Sequence, residues 1–214
     1  MNKNAIFWFR RDLRLEDNKG LHEALNSGMQ VIPLFIFDSR ILFQLEDTHD
    51  RRVDFISQAL QQLAREIAER GGHLVVRHGD PCRVLNELCD NNNIGAVYTN
   101  RDYEPYALRR DREVEAMLQS KTITFHTFKD QVIFEPEEIK KEDGSPYKVY
   151  TPYSKVWKKL LNQEFLTSVP SDKSREYAKG LQDEKNPGLE DIGFQATGIR
   201  YTVPELPELS LIHI

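Results

Sequence analysis

The chain is poor in the residues and runs that would place it in several common classes. Only two cysteines, Cys82 and Cys89, occur in 214 residues. They fall seven apart on one predicted helix, about two turns along its axis, too far for a disulfide and in keeping with a reducing compartment. No apolar run approaches the roughly 20 residues of a membrane-crossing helix. The start, Met1-Asn2-Lys3-Asn4, leads straight into a strand with no signal-peptide pattern, so a cytoplasmic protein with no membrane partner is expected. There is no G-x-G-x-x-G or Walker loop, which excludes those ways of cradling a phosphate. The histidines, His22, His49, His73, His78, His126 and His213, make no ligand spacing with either cysteine, and no Gly-x-Ser-x-Gly elbow occurs. No constellation carries a reaction by itself. Positive charge is also short: 29 Lys and Arg against 34 Asp and Glu give a net charge of -5. That sum argues against the chain wrapping a nucleic acid on its own, while leaving room for a local basic face.

What is present is organised around Trp8 to Asn18. An apolar, aromatic run, Ala5-Ile6-Phe7-Trp8-Phe9, suits a strand buried on both faces and stops at Arg10 and Arg11. Arginines at the end of a buried strand need carboxylates or an anionic ligand, and Asp12, Glu16 and Asp17 are near in sequence. Asp17 or Asn18 is positioned to cap a helix through Leu21, Ala24 and Leu25 that ends at Gly28. A second apolar strand, Val31 to Phe37, ends at Asp38, and a loop is expected from Ser39 to about Asp50. Val53, Ile56, Leu60, Leu63 and Ile67 recur at helical spacing before Gly71-Gly72. A short strand, Leu74 to Arg77, precedes Gly79-Asp80-Pro81, a cap and first-turn proline for a helix carrying Val84, Leu85 and Leu88. A fourth strand, Ala96 to Thr99, leads into a charged helix from about Ala107 to Gln119. There Val114, Met117 and Leu118 form the apolar stripe, and Arg109, Arg110, Asp111, Arg112, Glu113 and Glu115 are assigned mostly to the solvated side. A fifth strand runs from Ile123 to Phe128.

Alternating strands and helices with short breaks predict an α/β fold: a Rossmann-like, five-stranded parallel sheet in the order 3-2-1-4-5, helices on both faces. That order places a topological switch between the first and fourth strands, where ligands of open sheets bind. Arg10 and Arg11 would border one crevice with Asn100 to Glu104, beside Phe35 to Asp38. A planar aromatic ligand would lie against Phe35 or Phe37 while Asp102 and Glu104 accept from its donors; alternatively, the two acids pair with Arg10, Arg11 or Arg109. The α/β unit is assigned residues 1–130 and an irregular connector 131–214, with one helix near 153–163. The tyrosines and Trp157 around that helix are read as packing the connector onto the domain edge, with nucleic-acid stacking as the alternative.

The run Trp8-Phe9-Arg10-Arg11-Asp12-Leu13-Arg14-Leu15 with Asp17-Asn18 and Leu21 closely resembles the opening of the DNA photolyase/cryptochrome family. In the same order, Leu34-Phe35-Ile36-Phe37-Asp38 with Ile41-Leu42, Gly79-Asp80-Pro81, Asn100 to Tyr106, and Pro146 to Tyr153 with Trp157 also match. The resemblance covers about residues 5 to 160. It implies an N-terminal domain holding an antenna chromophore. A helical domain absent from this chain would bind FAD, contact damaged DNA and carry the light-driven repair of pyrimidine dimers by a deoxyribodipyrimidine photolyase. It equally implies the alternatives of a cryptochrome-type blue-light photoreceptor or a stand-alone nucleotide- or chromophore-binding module, in each case a monomer. Carried over residue by residue, the match assigns Phe35, Ile36, Phe37, Asp38, Arg52, Asp102 and Glu104 to the chromophore. Relatives that use a reduced folate show Asn-Glu where this chain has Tyr106 and Ala107. The resemblance therefore favours an 8-hydroxy-5-deazaflavin type, with FMN or FAD as further options.

Overall fold

The computed structural model describes residues 3–162, 167–170, 177 and 185–201. Five parallel strands form one sheet in the order β3-β2-β1-β4-β5, as the sequence pattern predicts. The strands are β1 (Asn4–Phe9), β2 (Gln30–Asp38), β3 (Val75–Gly79), β4 (Ile94–Asn100) and β5 (Thr124–Phe128). Between them run α1 (Lys19–Leu25), α2 (Ser39–Leu42), α3 (Arg51–Glu69), α4 (Pro81–Asn91) and α5 (Pro105–Ser120), and α6 (Tyr150–Leu160) follows.

The central strand is buried on both sides because its period of two feeds two separate cores. Ala5, Phe7 and Phe9 join Leu21, Ala24, Phe35, Phe37, Val53, Leu60, Leu63 and Ile67 in one layer. Ile6 and Trp8 join Ile32, Leu34, Ile36, Val84, Leu85, Leu88, Val114 and Leu118 in the other. Helix entries follow the expected chemistry. Asn18 rather than Asp17 caps α1, accepting from Leu21 N at 3.1 Å. Asp80 caps α4, with Pro81 at the first position.

Three expectations are corrected. The stretch after Asp38 begins with the short helix α2, because the Asp38 carboxylate accepts from Arg40 N at 3.0 Å and caps a turn. The charged helix α5 starts at Pro105, a residue whose fixed φ suits a first turn. The last helix starts at Tyr150 and stops at Leu160, ahead of the predicted span. The connector beyond Pro170 packs onto the domain at Tyr177, Ile192 and Phe194, which are buried in the first core layer. Asn186 explains part of this. Its side-chain amide donates to Leu74 O at 2.8 Å and accepts from Val76 N at 2.7 Å, pairing with the outer edge of β3 as a strand would. Further along, Asp54 on α3 accepts from Thr197 N at 2.8 Å, and Gln58 donates to Ile199 O at 2.7 Å.

Candidate functional site

The carboxyl ends of β1, β2 and β4 meet at the switch point, and the β1 turn fills the space between them. Arg10 is almost fully buried. Its Nη1 donates to both oxygens of Asp111 at 2.7 Å and its Nη2 donates to Asn100 O, while Nε has no hydrogen-bond partner among the described residues. Arg110, equally buried, donates to the same Asp111 carboxylate at 3.0 Å and lies 3.8 Å from Asp38. Both guanidiniums stack on Trp8, at 5.2 and 4.8 Å from the ring centroid. Burial pulls the Arg10 guanidinium below its ordinary value, and Asp111 opposes that shift. Two cations and two carboxylates therefore sit on one indole, balanced in charge.

Asp38 receives the Tyr106 hydroxyl at 2.6 Å, which ties the end of β2 to the first turn of α5. Burial, and then this hydrogen bond to a carboxylate, push the Tyr106 phenol well above its ordinary range. On the other face, the Asn100 side chain donates to Asn18 at 2.9 Å and to Asp12, and accepts from Gly20 N at 2.9 Å. Burial raises the Asp12 carboxyl, opposed by the Asn100 hydrogen bond. Gly20 is required here: a Cβ would stand 2.5 Å from Asn100 Oδ1 and 2.9 Å from the Phe7 ring.

Above this sealed floor lies the accessible rim. Arg11 donates to Glu104 at 2.6 Å and lies 3.6 Å from Asp102, whose other oxygen accepts from Glu104 N at 3.2 Å. Arg11 and Glu104 are more than half exposed, at 54% and 62%, whereas Asp102 is 10% exposed. Thus Asp102 and Glu104 are brought together around one arginine, whereas Asp38 accepts from Tyr106 and lies near Arg110. Phe35 and Phe37 lie edge to face at 5.1 Å within the α1/α3 core layer, and Ile36 belongs to the opposite layer. Phe37 also lines a cavity of about 500 Å³ together with Leu60, Leu74, Val76 and Asn186. Arg52 is placed apart, exposed at the start of α3 and held by Asp50 at 2.6 Å. Hydrogen bonds from Arg52 hold the Asp50 carboxyl down at about 2.

Sequence reasoning missed Arg110 and Asp111, which it assigned to the solvated face of α5. The signal is present in the spacing: Ala107, Arg110, Asp111, Val114 and Leu118 fall at i, i+3, i+4, i+7 and i+11, one inward stripe with a charged pair inside it.

The family model described as DNA photolyase matches residues 5–172. The chain is 39% identical over 152 residues to a deoxyribodipyrimidine photo-lyase of Synechococcus sp., covering 71% of this chain and 31% of that protein. Among solved structures, a class III photolyase of Agrobacterium tumefaciens superposes with a TM-score of 0.70 at 26% identity, covering 89% of this chain and 38% of that one. An archaeal photolyase of Sulfolobus tokodaii, described with two FAD molecules and the implication of a novel light-harvesting cofactor, superposes with a TM-score of 0.57 at 33% identity. That overlap takes in 62% of this chain and 31% of the archaeal one. The chain thus spans about a third of these relatives' length. The match over most of its residues, the five-stranded sheet and the arginine turn at its switch point agree: this chain belongs to the DNA photolyase family and corresponds to its N-terminal α/β domain.

Proposed function

We propose that the chain is the light-harvesting domain of a deoxyribodipyrimidine photolyase, the repair reaction being carried by an FAD domain outside these residues. The observation that carries this reading is the rim at the switch point, where Asp102 and Glu104 gather around the half-exposed Arg11. One donor fork and two acceptors at the carboxyl edge of the sheet suit a flat ring whose periphery alternates carbonyls and N–H or hydroxyl groups. The chromophore favoured is of the 8-hydroxy-5-deazaflavin type, with FMN or FAD next; the two flavins of the archaeal relative support that class over a folate.

In this reading the bound chromophore supplies absorption of light and transfer of its excitation. The protein supplies position. Arg11 would donate to a ring carbonyl, and Asp102 and Glu104 would accept from ring donors, in exchange for part of the pairing they make with one another. The Asp38–Tyr106 bond and the Arg10–Asp111–Arg110 cluster tie the ends of β1 and β2 to α5. A rigid, dry floor suits an antenna because a ring that rotates or meets water loses its excitation. The test is a titration of the 214-residue chain with 8-hydroxy-5-deazaflavin, reduced folate, FMN and FAD, followed by fluorescence. Saturable binding of a three-ring chromophore in preference to the folate is expected. No saturable binding of any of the four overturns the reading.

A further inference from the structure

Within an acidic chain, residues 145–162 contain Lys148, Lys155, Lys158 and Lys159 and no Asp or Glu. Three of these lysines fall on α6 at i, i+3 and i+4, on one side of the helix. All four are exposed, and none makes an ion pair among the described residues. Of the nearby loop's acids, Glu135 pairs with Arg101 at 2.7 Å, Glu138 with Lys129 at 2.8 Å and Glu137 with Lys140, and Glu142 and Asp143 form no ion pair with the four lysines among the described residues. The opposite side of α6 carries Tyr153, Val156 and Trp157, half-buried. Trp157 meets Phe134 edge to face at 5.7 Å, and Tyr153 meets Tyr147 at 6.2 Å. The helix therefore turns Tyr153, Val156 and Trp157 toward the protein and its lysines to solvent, with Tyr150 and Leu160 exposed at its ends.

We infer that the lysine side of α6 contacts the phosphates of DNA. The choice of DNA among polyanions rests on the photolyase reading; the surface itself rests on the four uncompensated lysines. Lysine ammoniums act as point charges on phosphate oxygens, so the contact fixes the position of the duplex without reading its sequence. Tyr147, Tyr153 and Trp157 serve as packing, and the basic strip is the binding element.

The test is binding of a mixed-sequence duplex to the 214-residue chain between about 50 and 200 mM salt. Each phosphate neutralised adds about 0.9 to the log–log salt slope, so Lys155→Gln/Lys158→Gln/Lys159→Gln flattens the slope by about 3. The affinity advantage of the unmodified chain over this variant then shrinks about 40-fold across that range. Arg109→Gln/Arg112→Gln, which removes two exposed cations of α5, leaves the slope at its original value. An unchanged slope in the lysine variant, or no duplex binding at any salt, overturns the inference. So does lysine-dependent binding to vesicles containing phosphatidylglycerol with none to the duplex. Chromophore titrations run on both proteins separate the two readings: chromophore binding without lysine-dependent DNA binding removes only this inference, and the reverse removes only the antenna.

Discussion

Removing Asp111 strands two buried guanidiniums at once. Arg10 and Arg110 are 5% and 7% exposed at their side chains, both donate to this carboxylate, and Arg10 has no other acidic partner within hydrogen-bond reach among the described residues. Breaking a buried ion pair from one side costs about 3–5 kcal/mol, because the remaining charge has lost its water without a replacement. In a chain of this size each kcal/mol lowers the midpoint by about 2–4 °C, so Asp111→Ala should lower it by about 6–20 °C. The comparison is Glu104→Ala, which removes the rim partner of Arg11. Both of those side chains are more than half exposed, so that change should cost less than about 1 kcal/mol. Urea titrations of the three proteins give the free energies, and fitted slopes show whether unfolding stays two-state. Arg10→Met in the Asp111→Ala background should recover part of the loss, since one of the orphaned charges is then gone. If Asp111→Ala costs no more than Glu104→Ala, the cluster is hydrated and the sealed floor described here is wrong.

Gly20→Ala would push a methyl group into Asn100 and Phe7, and urea denaturation should show a loss of about 1–3 kcal/mol from overpacking. Asp102→Ala should weaken chromophore binding by about 10- to 100-fold, read by fluorescence titration, while stability falls by less than about 1 kcal/mol because its partner Arg11 is half exposed. Hydrogen bonds from the Thr197 and Gln58 side chains depress the Asp54 carboxyl in the folded chain. The folded state then binds that proton less tightly than the unfolded one. The stabilisation is full above about pH 4 and is lost as pH falls through the depressed folded value. Asp54→Asn should flatten this acid limb in thermal melts taken across that window.

The sheet order, both cores and the arginine turn were readable from periodicity, because β1 is short, doubly buried and abruptly ended. Asp102 and Glu104 follow directly on β4, and of the two readings left open in the sequence the structure shows their pairing with Arg11. Two kinds of feature escaped. Arg110 and Asp111 were assigned to solvent, because a charged residue is read as exposed unless its partner is known, and Arg10 lies 101 positions from Asp111. Arg52 was joined to the site through resemblance alone, and the structure holds it to Asp50 two residues away. Asn186 gave no signal, because a side chain that imitates a strand leaves no periodic trace in the sequence.

That single amide has a practical consequence for handling the protein. The outer edge of β3 presents backbone donors and acceptors, the usual template for unwanted pairing between copies. A shortened chain ending after α6 keeps every strand and helix of the sheet yet strips the Asn186 cover from Leu74 and Val76. Such a shortened chain should be prone to aggregation, and a C-terminal boundary beyond residue 201 is the better choice for producing the domain alone.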